Sequence, residues 1–180
     1  MRIFSPDDFV TQPWKNGGGT THEIAREDRG GALLWRLSIA EVATDGPFSS
    51  FPGLARVLTV IEGAGLHLHT PEGRLDALPL APVAFSGDTP VDCRRIAGEV
   101  HDFNVIYDPA RISARVTLAA TGRTDCPAAP GRFYACLALS TGVSVDGVTL
   151  PRRGVAEFET GHVDCTAGIA ALLVRFAPTG

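Results

Sequence analysis

The chain has 180 residues, of which 44% are hydrophobic and 20% charged, with a net charge of -4. Such a length buries a full core, so the expectation is a single compact unit; the apolar share excludes a disordered chain, and the acidic balance excludes a nucleic-acid footprint, which needs clustered Lys and Arg. The opening MRIFSPDDF has no apolar run of signal-peptide length and no segment reaches the roughly 20 apolar residues of a spanning helix, so a cytoplasmic protein without a membrane partner is expected.

In chain order, the first unusual stretch is PWKNGGGTTHEIA, residues 13 to 25, which carries Lys15, the sole lysine among sixteen basic residues. Its lysine precedes the glycines and no strand-loop-helix pattern follows, which excludes a phosphate-cradling GxxxxGK[ST] loop. Three glycines instead permit left-handed backbone and close approach, laying main chain, Lys15 and Asn16 at the mouth or floor of a barrel.

Beyond it come apolar runs of strand length bounded by turn formers: 35–42, 55–63, 65–69, 82–87, 103–107, 114–120, 132–140, 142–146, 155–159 and 170–177. Few windows sustain helical periodicity, so the fold class is all-β with little helix, a barrel or sandwich. Two segments, 58–93 and 136–165, also share an order of features. Each has an apolar strand, a Gly turn, a short strand and hairpin, a Leu-Pro step, a Phe-centred strand and a terminal Val-Asp-Cys. Phe85 answers Phe158, Pro79 answers Pro151 and Cys93 answers Cys165, as expected of two copies of one jelly-roll half.

Strand alternation places Arg36 and Ser38 on one face, and Asp102 and Asn104 on one face of a later strand. An inward arginine needs a carboxylate, so Arg36 and Asp102 are read either as a structural salt bridge or, with Lys15 and Asn104, as the lining of a polar pocket for a carboxylate-bearing small molecule. His67 and His69 share a face in GLHLHTPEG, the usual beginning of a metal site in a jelly roll. Glu72 follows too soon, inside a turn, and the Phe-centred strand supplies no later histidine, so both are read as surface or rim residues and no metal or cofactor is expected. Cys93, Cys126, Cys136 and Cys165 have no CxxC spacing and are read as buried small hydrophobes.

Taken together, WKNGGG with Thr-x-Glu-Ile, WRLSIAEV, GPFSSFPG, FSGDTPVDC and GEVHDFN resemble the HutD/Ves family of bacterial proteins. The resemblance implies a two-lobed cupin, or bicupin, with an N-terminal lobe of about 1–110 and a C-terminal lobe of about 111–180, with room for the lobes to exchange strands. It also implies a modulator of histidine catabolism that binds a metabolite such as N-formylglutamate or urocanate, without catalytic residues. Carried over by position, its ligand-binding set is Trp14, Lys15, Asn16, Gly18, Thr20, Glu23, Arg36, Ser38, Phe51, Asp102 and Asn104. The chain departs from the family's commoner pattern at His22, where arginine is usual, and at Ala55, where an acidic residue is frequent.

The leading expectation is therefore a metal-free binder of a small carboxylate. The alternative is a cupin-type hydrolase or isomerase using Asp102 or Glu23 as base, although a neighbouring Arg36 would lower the pKa that a base needs raised. An edge strand able to pair with a second copy makes a homodimer compatible with the sequence.

Overall fold

In the computed structural model, which describes residues 1–179 without the side chains of Ala167 and Ile169, the chain forms seventeen β-strands and one 3-10 turn, Pro6–Asp8. No helix among the described residues is long and apolar enough to cross a membrane. All ten runs read as strands from the sequence are strands, with ends shifted by up to about ten residues in the long C-terminal pair. The elements not anticipated include Gly19–Arg29, eleven residues long, and the short edge strands Arg2–Phe4 and Val10–Pro13.

The chain divides into two units, Val10–Ala110 and Met1–Phe9 joined with Arg111–Gly180. The first unit has two sheets. Its six-stranded sheet runs in spatial order Val10–Pro13, Gly19–Arg29, Ala32–Val42, Val100–Tyr107, Ala55–Glu62 and Val83–Ser86, and its four-stranded sheet runs Gly46–Pro47, Asp92–Arg95, Leu66–Thr70 and Gly73–Ala77. Alternation sends Leu58, Val60, Leu66, Leu68, Cys93 and Val100 into one core, where each is fully buried. Full burial of a Leu or Val side chain stabilises by about 1.5–3 kcal/mol, so this cluster is what closes the two sheets on each other.

The second unit is one seven-stranded sheet in which Gly161–Pro178 pairs with Ile112–Cys126, Phe133–Ala138 and Val143–Val145. Strands of fifteen and eighteen residues cannot stay flat at native twist, and register shifts around Ala119 to Gly122 mark bulges where the Ile112–Cys126 strand bends. Strand Arg2–Phe4 closes one side by pairing with Val155–Phe158. The inward residues, among them Tyr134, Cys136, Val143, Phe158, Val163 and Leu173, form this unit's own core.

The repeat read from the sequence is present in the pairing. Ala55–Glu62 pairs with Val83–Ser86 as Phe133–Ala138 pairs with Val155–Phe158, and the hairpin Leu66–Thr70/Gly73–Ala77 has its counterpart in Val143–Val145/Val148–Thr149. In register too the copies agree, since Phe85 faces Arg56 and Phe158 faces Tyr134, each two residues before the aligned Leu58 and Cys136. All four cysteines are buried and free, as expected for small apolar fillers.

Candidate functional site

The site grows from the inward face of the six-stranded sheet. Residues paired directly across antiparallel strands share a face, so the register sorts them into rows. One row is Arg36, Ile106, Arg56 and Phe85; the next is Glu23, Ser38, Asn104, Leu58 and Val83; the third is Gln12, Thr21, Ala40, Asp102 and Val60. Towards one end of this face the apolar core gives way to a cavity of about 570 Å3. Its polar lining is Gln12, Lys15, Asn16, Thr21, Arg36, Ser38, Ser49, Arg56 and Asn104, and its apolar walls include Trp14, Phe48, Phe51 and Ile106.

The glycine run sets one rim. Gly17 has φ of +70°, and the Gly18 carbonyl accepts hydrogen bonds from the Ala43 and Thr44 amides at 3.0 Å each. A Cβ on Gly19 would collide with the Glu41 carbonyl oxygen, so only glycine lets this strand start so close to its neighbour. The preceding residues are thereby turned towards the cavity: Trp14 donates its indole N–H to the Thr21 hydroxyl at 2.8 Å, and the Asn16 side-chain oxygen accepts the Gly18 amide at 3.0 Å.

The opposite rim is the GPFSSFPG segment. The Phe48 amide bonds to the Val91 carbonyl, the Phe51 amide to the Gly87 carbonyl, and the Gly87 amide back to Leu54, at 2.7–2.9 Å. A side chain at Gly87 would strike the Phe51 carbonyl, and Asp88 accepts the Gly53 amide at 3.1 Å. Two motifs distant in sequence thus form one interlocked device, and what it holds is a wall of phenylalanines.

Arg56 is enclosed by that wall. Its guanidinium carbon lies 4.8 Å from the Phe48 ring centroid, 5.3 Å from Phe85 and 5.8 Å from Phe51, within cation-π range of all three. Only 7% of Arg56 is exposed. Its Nε donates to the Asn104 oxygen at 2.8 Å, and the Asn104 amide donates to the Asp102 carboxylate behind it. Asp102 is completely buried, its second oxygen has no hydrogen-bond partner, and burial pushes its pKa up to about 6 against the opposing pull of Arg56 and Asn104. Arg36, the other guanidinium of the row, donates from Nε to Glu23 at 2.6 Å.

Of the eleven residues expected at the site, Trp14, Lys15, Asn16, Arg36, Ser38, Phe51 and Asn104 line the cavity. The other four do not. Gly18 is buried in the turn, Thr20 points to the opposite face because the inward position is Thr21, Glu23 is the partner of Arg36, and Asp102 lies behind Asn104. The salt bridge considered between Arg36 and Asp102 is replaced by Arg36 with Glu23, because a strand unanticipated from the sequence brings Glu23 opposite Ser38. Neither carboxylate considered as a base lines the cavity. Arg56 and Phe48, missed as site residues, sit in stretches that read as plain core strand and turn; an arginine inside the otherwise apolar run ARVLTVI was the available signal.

His22 lies away from the cavity: its Nδ1 is 2.9 Å from the Thr11 hydroxyl and its Nε2 3.1 Å from the Glu41 carboxylate. Arg56 is held by Asn104 rather than by a residue at position 55. His67 bonds to Asp76 at 2.7 Å and His69 is exposed, and among the described residues no group of three or more His, Cys, Asp or Glu is placed to hold a metal ion.

Comparison with known proteins gives these features a setting. The family model described as HutD matches residues 6–172. A 21.2 kDa uncharacterized protein of the hutC 3' region in Pseudomonas putida is 40% identical over 119 residues, 64% of this chain and 63% of the relative. Protein Ves of Escherichia fergusonii is 38% identical over 126 residues, 66% of this chain and 64% of the relative, so the aligned part spans somewhat under two thirds of either curated relative. Among solved structures, HutD from Pseudomonas fluorescens SBW25, determined in a formate condition, has a TM-score of 0.88 at 36% identity and covers 99% of both chains. The Escherichia coli pirin YhhW in complex with nickel(II) superposes at a TM-score of 0.71 and 7% identity over 98% of both chains, and a Bacillus subtilis oxalate decarboxylase at 0.65 and 10% over 98% of this chain and 76% of that one. These last two likenesses bear on the fold alone and make it cupin-like.

Proposed function

This chain belongs to the HutD family, and on that premise we propose that it binds a small carboxylate metabolite over Arg36 and Arg56, without a metal, and so modulates histidine catabolism. The family is linked to histidine utilisation. The observation that carries the reading is the charge of the cavity: Lys15, Arg36 and Arg56 line it, and no carboxylate does. Ser38 and Asn104 add polar groups between the two guanidiniums, while Trp14, Phe48 and Phe51 supply apolar walls for the body of the ligand. Buried guanidiniums recognise carboxylates with two parallel N–H donors, and both have Nε already engaged, which leaves the terminal nitrogens for the ligand.

Urocanate and N-formylglutamate both fit this description, as a flat and an extended carboxylate respectively. A hydrolase or isomerase using Asp102 or Glu23 is disfavoured, because each carboxylate is withdrawn from the cavity. Isothermal titration at pH 7 with each compound tests the proposal, using the chain and its Arg56→Lys variant. Lysine keeps the charge and loses the planar fork and its stacking on the phenylalanines. Saturable binding that weakens about 10- to 100-fold in the variant is expected, since a charge-assisted hydrogen bond contributes about 1.5–3 kcal/mol. Turnover of either compound, or no saturable heat from both, would contradict it.

A further inference from the structure

We propose that the C-terminal unit carries a second anion site, in the place of its own sheet that the first cavity occupies in the N-terminal unit. Its ligand is a small, multiply charged anion with several acceptor oxygens, phosphate or a dicarboxylate. The pairing register defines that place. Arg36, Ile106, Arg56 and Phe85 make one row in the first unit, and Arg115, Arg175, Tyr134 and Phe158 make the corresponding row in the second. The next rows also correspond: Ser38, Asn104 and Leu58 on one side, Thr117, Leu173 and Cys136 on the other. Arg115 therefore stands where Arg36 stands and Thr117 where Ser38 stands, while the second arginine has moved one strand over, from Arg56 to Arg175.

A cavity of about 270 Å3 lies over this row, floored by the buried Tyr134 and Leu173 and reached by Arg132 from the preceding turn. Arg115 and Arg175 face each other directly across the strands, and like charges in that position destabilise a sheet unless something lies between them. In the first unit Glu23 and Asp102 do that for the arginines; here no hydrogen bond or ion pair joins Arg115, Arg132 or Arg175 to any described residue's side chain. The Arg132 Nε is buried with no partner at all. Asp125 is the one carboxylate in the lining and stands outside ion-pair distance of the three, so the groove keeps an excess of positive charge.

The neutral polar groups are already committed. Tyr134 donates its hydroxyl to the Pro127 carbonyl at 3.0 Å and Thr117 donates to the Leu173 carbonyl at 3.3 Å. What remains free to meet a ligand is three guanidiniums, which select charged acceptor oxygens. The volume is ample for a small anion such as phosphate or succinate.

The test is isothermal titration with inorganic phosphate and, separately, succinate at constant ionic strength, with sodium chloride as control. The proteins are the full chain and its Arg175→Gln, Arg132→Gln and Arg36→Gln variants. Saturable binding of either anion that survives Arg36→Gln and weakens about tenfold or more in Arg175→Gln and Arg132→Gln supports the site, and the anion that binds names its source. Arg175 is exposed, so its variant keeps the test valid should Arg132→Gln fail to fold. Binding of neither anion above chloride, binding unchanged in Arg175→Gln, or binding abolished by Arg36→Gln would overturn it. Of these three variants only Arg36→Gln touches the first cavity, whose own test is Arg56→Lys with urocanate and N-formylglutamate, so failure of one reading is distinguishable from failure of the other.

Discussion

At the scale of single residues, the most informative is Arg56. A guanidinium that is nearly inaccessible, boxed by three phenylalanines and tied through Asn104 to a buried carboxylate is a charge held ready rather than a surface ornament. The tie makes its field depend on pH. A carboxyl whose pKa is higher in the folded chain than in the unfolded one holds its proton more tightly when folded. Asp102 therefore favours folding below its ordinary pKa of 3.8 and withdraws that contribution as pH rises towards about 6. The swing is on the order of 3 kcal/mol. Urea unfolding of the chain and of Asp102→Asn at intervals from pH 4 to pH 8 should give curves whose difference changes by most of that amount between pH 4 and about pH 7 and is flat above. Ligand binding should follow the same proton: a neutral Asp102 leaves Arg56 uncompensated, so carboxylate affinity should rise between pH 7 and pH 5.5 in the native chain and lose that trend in Asp102→Asn.

The residue scale also marks how far the sequence could be read. Alternation found Arg36, Ser38 and Asn104, because strands keep a period of two and their hydrophobic neighbours fixed the phase. The family resemblance pointed one position off at Thr20, where a change of a single residue turns a side chain to the other face and Thr21 is the inward one. Phe48 and Phe51 come from a loop whose shape depends on Gly87 and Val91, and no local pattern encodes such long-range backbone bonds.

At the scale of elements, the strand Gly19–Arg29 explains both the glycine run and the gap in the sequence reading. Apart from the buried Ile24 and Ala25 its residues GTTHEIAREDR are mostly polar or charged, and register shifts between Glu23 and Ala25 and between Glu27 and Asp28 break the period that would have revealed it. Its first residue packs against the Glu41 backbone without room for a methyl group. Gly19→Ala should therefore pry apart the Gly19–Arg29 and Ala32–Val42 strands, destabilising by about 1–3 kcal/mol in chemical denaturation. Gly17→Ala meets open space and carries only the left-handed backbone, so its cost should be nearer about 1 kcal/mol. Equal losses in the two variants would refute this division of labour.

At the scale of the whole molecule, the duplication was legible because punctuation survives divergence: a Gly turn, a Leu-Pro step and a Phe-centred strand recur in order, and their pairing partners recur with them. Less legible was the attachment of Met1–Phe9 to the C-terminal unit, since three residues of edge strand carry no signal of which sheet they will close. The two copies have kept the arginine-bearing row and changed its company. In the first, Glu23 and Asp102 balance the guanidiniums and aromatic walls surround the cavity; in the second, the arginines stand without such partners.

The central claim, that the first cavity takes a carboxylate between its two arginines, is tested most directly by a crystal structure of the chain soaked with urocanate. The account predicts a carboxylate within about 3 Å of the terminal nitrogens of both Arg36 and Arg56, with the ligand's flat body against Trp14 and Phe48. Urocanate bound elsewhere with this cavity holding only water, or a metal ion coordinated in it, would contradict the account.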